Sequence, residues 1–219
     1  MQLNADLTQR AVIDTTKLPW RDSPMAGVQR RMIERDGEEV ARATSIVRYA
    51  PGSDFCAHTH GGGEEFLVLA GTFSDEYGDY GPGTYVRNPV GSEHTPYSDA
   101  GCTILVKLRQ MVPEDQQQVT VNTHSSGWAP GLVPGLQVLP LHAHGTEQVA
   151  LVKWAPGTLF QPHRHWGGEE IFVLEGVFAD EQGVYPQGTW LRNPAGSRHT
   201  PFSEEGCLIY VKTGHLPAA

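Results

Sequence analysis

Eight residues of this sequence have the types and spacing of metal ligands. They form two sets: His58, His60, Glu64 and His94, then His163, His165, Glu169 and His199. Alternate residues of a β-strand share a face, so each His-x-His pair points one way. The glycines that follow, Gly61-Gly62-Gly63 and Gly167-Gly168, can bend the chain so that Glu64 or Glu169 joins the pair. His94 and His199 follow Asn-Pro-Val-Gly and Asn-Pro-Ala-Gly turns, which suit the mouth of a neighbouring strand. Imidazole nitrogens with one carboxylate oxygen form a borderline donor set, open to zinc, iron, manganese, nickel or copper. One pair of strand histidines would more often be ordinary polar surface. Recurrence of all four residue types at one offset argues against that reading.

The elements that must hold these residues come in two copies. Residues 50–107 align without a gap to 155–212, and 34 of the 58 positions are identical. Upstream, Trp20 and Gly27-Val28-Gln29 correspond to Trp128 and Gly135-Leu136-Gln137, and Ile13-Asp14-Thr15 to Val121-Asn122-Thr123. Two self-contained domains are expected, 1–110 and 111–219, because a solenoid would need more repeats to bury its core. Short apolar runs such as Phe66-Leu67-Val68-Leu69 and Thr103-Ile104-Leu105-Val106 predict strands. The segments 75–79 and 180–183 read as hairpin turns. Helical periodicity is weak throughout, with at most a turn near 114–118, so the expected class is all-β.

Composition narrows the partners. The net charge of -9 and a pI near 5.5 offer no basic stripe for phosphate, which excludes nucleic acid and disfavours an anionic membrane surface. The first residues carry neither a basic region nor an apolar run, and no stretch approaches a membrane span. Three cysteines without a C-x-x-C pair fit a reducing cytoplasm.

With those residues in view, the sequence resembles the cupin superfamily. Gly52, His58, His60, Glu64 and Gly71 fit the first cupin motif, as do Gly157, His163, His165, Glu169 and Gly176. Gly83, Pro89, Gly91 and His94 fit the second, as do Gly188, Pro194, Gly196 and His199, although Ser98 and Ser203 replace its usual final asparagine. The finer pattern is similar to the cupin domain of ChrR-type anti-sigma factors. It rests on Trp20 and Trp128, Glu64-Glu65, the run from Phe73 through Asp75-Glu76 to Tyr80, Gly91-Ser92, and Gly101-Cys102. That resemblance implies two tandem jelly-roll barrels, each with a divalent metal inside, zinc first and iron, manganese or nickel as alternatives. It selects Glu64 and Glu169 as ligands; strand alternation points Glu65 and Glu170 the other way, into solvated pairs with Lys or Arg. The His- and C-x-x-C-bearing helical segment with which such anti-sigma factors grip their partner has no counterpart here.

Other residues read more plainly. Cys56 shares a strand face with His58 and is expected as a small buried filler near the metal, with Gln161 in its place in the second copy. Cys102 and Cys207 read as core thiols. Arg87 and Arg192 are expected to bridge to the Asp-Glu turns. His142-Ala143-His144 with Glu147 imitates a ligand trio, but its repeat partners Glu34, Arg35 and Asp36 cannot mirror it, so exposed turn histidines are expected. His124 and His215 stand alone. Tyr85, Trp190, Tyr97 and Phe202 read as lining the barrel or its mouth. The function expected is a cytoplasmic, metal-binding sensor or regulator of the ChrR type, with a protein partner in transcription regulation. The alternatives are a non-haem metal-dependent dioxygenase for a dicarbonyl-like substrate and a structural metalloprotein or small-molecule binder. A homodimer through sheet edges is a further expectation.

Overall fold

Frequent Gly and Pro break the chain into short strands. The structure, a computed structural model, describes residues 1–217; these hold one 3-10 turn, Thr15–Lys17, and no α-helix. The molecule is all-β. No helix of the described residues is long and apolar enough to cross a membrane.

Packing divides the chain into two units. The first comprises Met1–Ala5 and Leu18–Ser125, and the second Asp6–Lys17 and the chain from Ser126 onward. These bounds differ from the contiguous division at 110/111. Ala11–Asp14 pairs with Thr189–Asn193 in the second unit, and Val119–Asn122 pairs with Thr84–Asn88 in the first. The two segments are repeat counterparts, so the leading strand of each copy completes the sheet built by the other copy. Duplicated sequence makes the two edges chemically alike, and a free edge strand is satisfied by either.

In the first unit the large sheet runs Gln2–Leu3, Val28–Gly37, Ala41–Tyr49, Cys102–Leu108, Glu64–Gly71, Thr84–Asn88, Val119–Asn122. A smaller sheet holds Gly78–Tyr80, Phe73–Asp75, Tyr97–Ser98 and Ser53–Asp54. The core lies between them, with Phe66, Val68, Phe73, Val86, Ile104 and Val106 at its centre. The second unit begins at Ala129–Pro130, the counterpart of Arg21–Asp22 in the first, and then repeats this order through Leu136–His144, Glu147–Trp154, Cys207–Thr213 and Glu169–Asp180 to Thr189–Asn193 and Ala11–Asp14. Its core gathers Ile171, Val173, Phe178, Leu191 and Ile209. Cys102 and Cys207 are buried core thiols, and burial pushes both thiol pKa values up, that of Cys207 to about 11.

Strand alternation puts Glu65, Arg87 and Lys107 on the face opposite this core, yet all three are buried. Arg87 donates to Glu65 Oε2 at 3.1 Å and to Asp115 Oδ2 at 2.5 Å, and Tyr85 donates to the same Glu65 oxygen at 2.7 Å. Glu65 is therefore paired with an arginine but not solvated, and Arg87 does not reach the Asp-Glu turn. The segment joining the copies covers this face and supplies Asp115. In the second unit the equivalent Arg192 donates to the backbone carbonyls of Gln9 and Asp6, at 3.3 and 3.0 Å. Tyr97 departs from its expected lining role and is exposed.

Removing one member of a buried charge pair strands the other, at about 3 kcal/mol or more. Asp115→Ala should therefore lower the first unfolding midpoint in a calorimetric scan by about 10 °C. Gln9→Ala, which leaves the carbonyl accepting from Arg192, should leave the second unit's unfolding midpoint nearly unchanged.

Candidate metal centres

Each histidine is placed by backbone pairing and then turned by a hydrogen bond. His58 and His94 sit directly opposite one another in a two-stranded ladder, as do His163 and His199. Gly63, at φ 74°, turns the chain from His60 into the Glu64–Gly71 strand. A Cβ there would lie 2.3 Å from Met111 Sδ, so only glycine fits. Gly168 does the same against Leu216. The ligand-type atoms of His58, His60, Glu64 and His94 lie within 4.8 Å of one another, and so do those of His163, His165, Glu169 and His199. All are buried except His58 and His163, which are partly exposed.

The tautomers follow from the acceptors. His58 Nδ1 lies 3.0 Å from Cys56 O, and His94 Nδ1 lies 3.0 Å from Asp75 Oδ2. Both oxygens only accept, so each Nδ1 carries the proton. Ser92 donates its hydroxyl to Pro89 O, so His60 Nδ1, 3.0 Å from Ser92 Oγ, must donate as well. Each ring is left with its lone pair on Nε2. Nε2 of His60 and of His94 is buried with no hydrogen-bond partner. Lone pairs buried and aimed at one another are costly unless a cation sits among them, so the donor set fits a divalent metal.

The second centre repeats this with one difference. His163 Nδ1 meets Gln161 O at 3.2 Å and His199 Nδ1 meets Asp180 Oδ2 at 3.2 Å. His165 presents Nδ1 to Glu169 Oε2 at 3.6 Å, and the hydroxyl of Ser197 has no hydrogen-bond partner. Burial, then the neighbouring His199 and His163, depress the pKa of His165 to about 3. Burial also lowers His60 and His163 and raises Glu169. Burial pulls His94 down, but the Asp75 hydrogen bond and the Glu64 charge outweigh it and leave it raised. Neutral imidazole is the form a metal needs.

Several supporting residues were not singled out from sequence. Asp75 accepts the backbone N–H groups of Tyr77 and Gly78 with Oδ1 while Oδ2 fixes His94, so the hairpin turn and the histidine share one carboxylate. Asp180 does both jobs in the second unit. Glu76 and Glu181 accept the N–H of Thr95 and Thr200, each at 2.8 Å. Asn88 and Asn193 donate to Glu64 and Glu169 at 3.2 and 3.1 Å. The recurrence of these residues in both copies was the available signal. Arg10 carried none. From the exchanged segment it donates to Tyr185 Oη at 2.5 Å and to Asn193 Oδ1 at 3.2 Å, and lies 4.0 Å from Asp180. Its counterpart Gln118 reaches Asn88 at 3.5 Å.

Three expectations are corrected. Cys56 is exposed, and its backbone carbonyl, not its thiol, serves His58. That is why Gln161 can replace it. His142 and His144 lie on a strand, not a turn, and His142 is buried. His215 is drawn in from isolation, with Nε2 3.4 Å from Glu170.

Both repeats match one family profile, described as the ChrR cupin-like domain, over residues 8–112 and 116–217. The chain belongs to the ChrR cupin-like family. Among solved structures, this tandem cupin is similar to a candidate dioxygenase from Nostoc punctiforme. The TM-score is 0.79 at 16% identity, over 97% of this chain and 85% of that one. It is also similar to protein Ylba from E. coli, with TM-score 0.74 at 16% identity over 98% and 95% of the two chains. A Bacillus subtilis oxalate decarboxylase variant gives 0.59 at 16% identity, over 95% and 78%. At such identities the likeness is one of fold. No curated protein sequence matches the chain significantly.

Two metal equivalents per chain are expected by plasma emission analysis. His58→Ala should empty the first centre alone and His163→Ala the second alone, leaving one equivalent in each variant. Loss of an orienting carboxylate weakens metal affinity by roughly 10–100-fold. Asp75→Asn and Asp180→Asn should each therefore raise chelator sensitivity at one centre.

Proposed function

We propose that this tandem cupin is a metal-dependent enzyme of the dioxygenase class, acting at its first centre on a small dicarbonyl-like molecule. One observation carries the reading. His58, His60 and Glu64 line a cavity of about 460 Å³ whose walls include Met25, Val47, Phe55, Ile104 and Leu108. A purely structural metal site is closed by its protein ligands, whereas one that opens into an apolar cavity has room for further ligands. Six-coordinate iron, manganese or nickel suits three imidazoles, one carboxylate and two open positions better than zinc does.

Such a metal supplies Lewis acidity and a template for a chelating oxygen ligand beside dioxygen. The chain's own residues do the rest. Asp75 holds the His94 ring in place, Asn88 holds Glu64, and Phe55, Ile104 and Leu108 give the cavity beside them apolar walls. Glu64 is the one carboxylate of the centre, so a proton leaving the substrate has Glu64 as its nearest acceptor there.

The family match favours a second reading, a metal-dependent regulator with a protein partner. Metal analysis of protein purified without added metal, followed by oxygen-electrode assays on a panel of β-dicarbonyls, separates the two. The enzyme reading expects iron, manganese or nickel, and oxygen uptake that His58→Ala abolishes and His163→Ala spares. Stoichiometric zinc at both centres with no oxygen uptake would overturn it. A transcription regulator recovered by pull-down, and released on singlet-oxygen exposure, would support the second reading.

A further inference from the structure

The two centres share ligands but not surroundings, and the difference is one of charge. Three arginines line the first unit's cavity: Arg30, Arg35 and Arg109. Strand register and the repeat alignment match them to Val138, Ala143 and Gly214. Every one of these cations is absent from the second copy.

Arg109 is the most telling of the three. It holds a left-handed backbone, φ 58°, where the second copy has Gly214 at φ 76°. A non-glycine residue there is strained, and such strain concentrates at functional sites. Its guanidinium fills the space beside Gly61, where an added Cβ would meet Nη1 at 3.0 Å. The counterpart of Gly61 is the exposed Trp166. One copy has Gly61 with Arg109 and the other Trp166 with Gly214, so the large side chain is on opposite members of the pair in the two copies. Arg109 makes no side-chain hydrogen bond or ion pair among the described residues.

The other two are built in. Arg35 is buried and anchored by the carbonyls of Glu38 and Glu39. Arg30 grips the exposed Glu39 carboxylate at 2.9 and 3.0 Å, and its Nε is buried with no hydrogen-bond partner. Glu39 shows the ligand chemistry that fits this end of the cavity: a carboxylate whose two oxygens both accept from Nη2 of Arg30. The second centre also opens to a cavity, about 500 Å³, where His163, His165 and Glu169 meet Trp166, Leu216 and Thr146; its one cation, Arg164, is stacked on Trp166 at 4.3 Å.

We propose that the first unit's cavity binds a small carboxylic acid with an apolar body and a pair of chelating oxygens. Arg30, Arg35 and Arg109 take the carboxylate, and the chelating end meets the His58, His60, Glu64 and His94 centre. The second unit takes no such ligand. The chelating half rests on the metal-dependent reading above; the cationic half stands by itself.

Calorimetric titration of the metal-loaded protein tests it with three probes. Benzoylpyruvate has all three features, benzoylacetone lacks the carboxylate, and benzoate lacks the chelating carbonyls. Benzoylpyruvate should bind at one site per chain and about tenfold or more tighter than benzoylacetone, the ratio one charge-assisted hydrogen bond supplies. His58→Ala should abolish this binding and His163→Ala should not. Arg30→Met and Arg109→Gly should each shrink the ratio; Arg109→Gly restores the residue that the backbone prefers, so a folding defect cannot account for its effect. A ratio that survives both substitutions, two sites per chain, or binding that follows His163 would overturn the proposal. Metal content of the same samples separates the two readings. If neither centre holds metal, the metal-dependent reading falls, and benzoate binding that the Arg30→Met/Arg109→Gly double variant abolishes upholds the cationic site. Benzoate binding indifferent to that double variant overturns it.

Discussion

Buried lone pairs govern this structure. Each barrel brings three imidazoles and a carboxylate together in its interior, and in the first the rings are turned so that unprotonated nitrogens face one another. Such an arrangement is expensive without a cation, and every neighbouring feature serves to hold it. The glycine turn brings the glutamate in, the two-residue ladder sets two histidines opposite, and the hairpin aspartate fixes a ring while capping its own turn. The jelly-roll sheets supply rigidity; the polar set determines why their ends have these residues.

Duplication then allowed the copies to diverge without losing the donor set. The ligands and their aspartate and asparagine supports are the same in both units. What differs surrounds them. Arg109 and Gly61 stand against Gly214 and Trp166, and Gln118 stands against Arg10. One centre opens to a cavity lined with arginines, while the other has a tryptophan at its rim and an arginine reaching its outer carboxylate. The same donor set within altered walls leaves two sites that could hold a metal ion, each beside different neighbours.

The repeat made much of the fold legible. Short strands bounded by Gly, Pro and Asp could be read because a sheet's period of two and its turn residues are local properties. The two His/Glu clusters could be read for the same reason, since His-x-His on a strand is a statement about one face. Cys56 was misread because strand alternation describes side chains, whereas the contribution at that position comes from a carbonyl. Glu65 was misread because alternation says which face a residue takes but not what covers that face, and Arg87 with the joining segment covers it.

By itself, then, the sequence determined two all-β repeats, their turns and the eight donor residues, because each depends on spacing within a few residues. Only the tertiary structure decided which sheet the leading strand of each copy joins, since two like edges compete for it and pairing energy alone resolves the choice. It also decided that Arg10 supports the second centre, and that Arg30, Arg35 and Arg109 meet in one cavity. Those residues are far apart in the chain and share no period. Their common location is a consequence of closing the barrel.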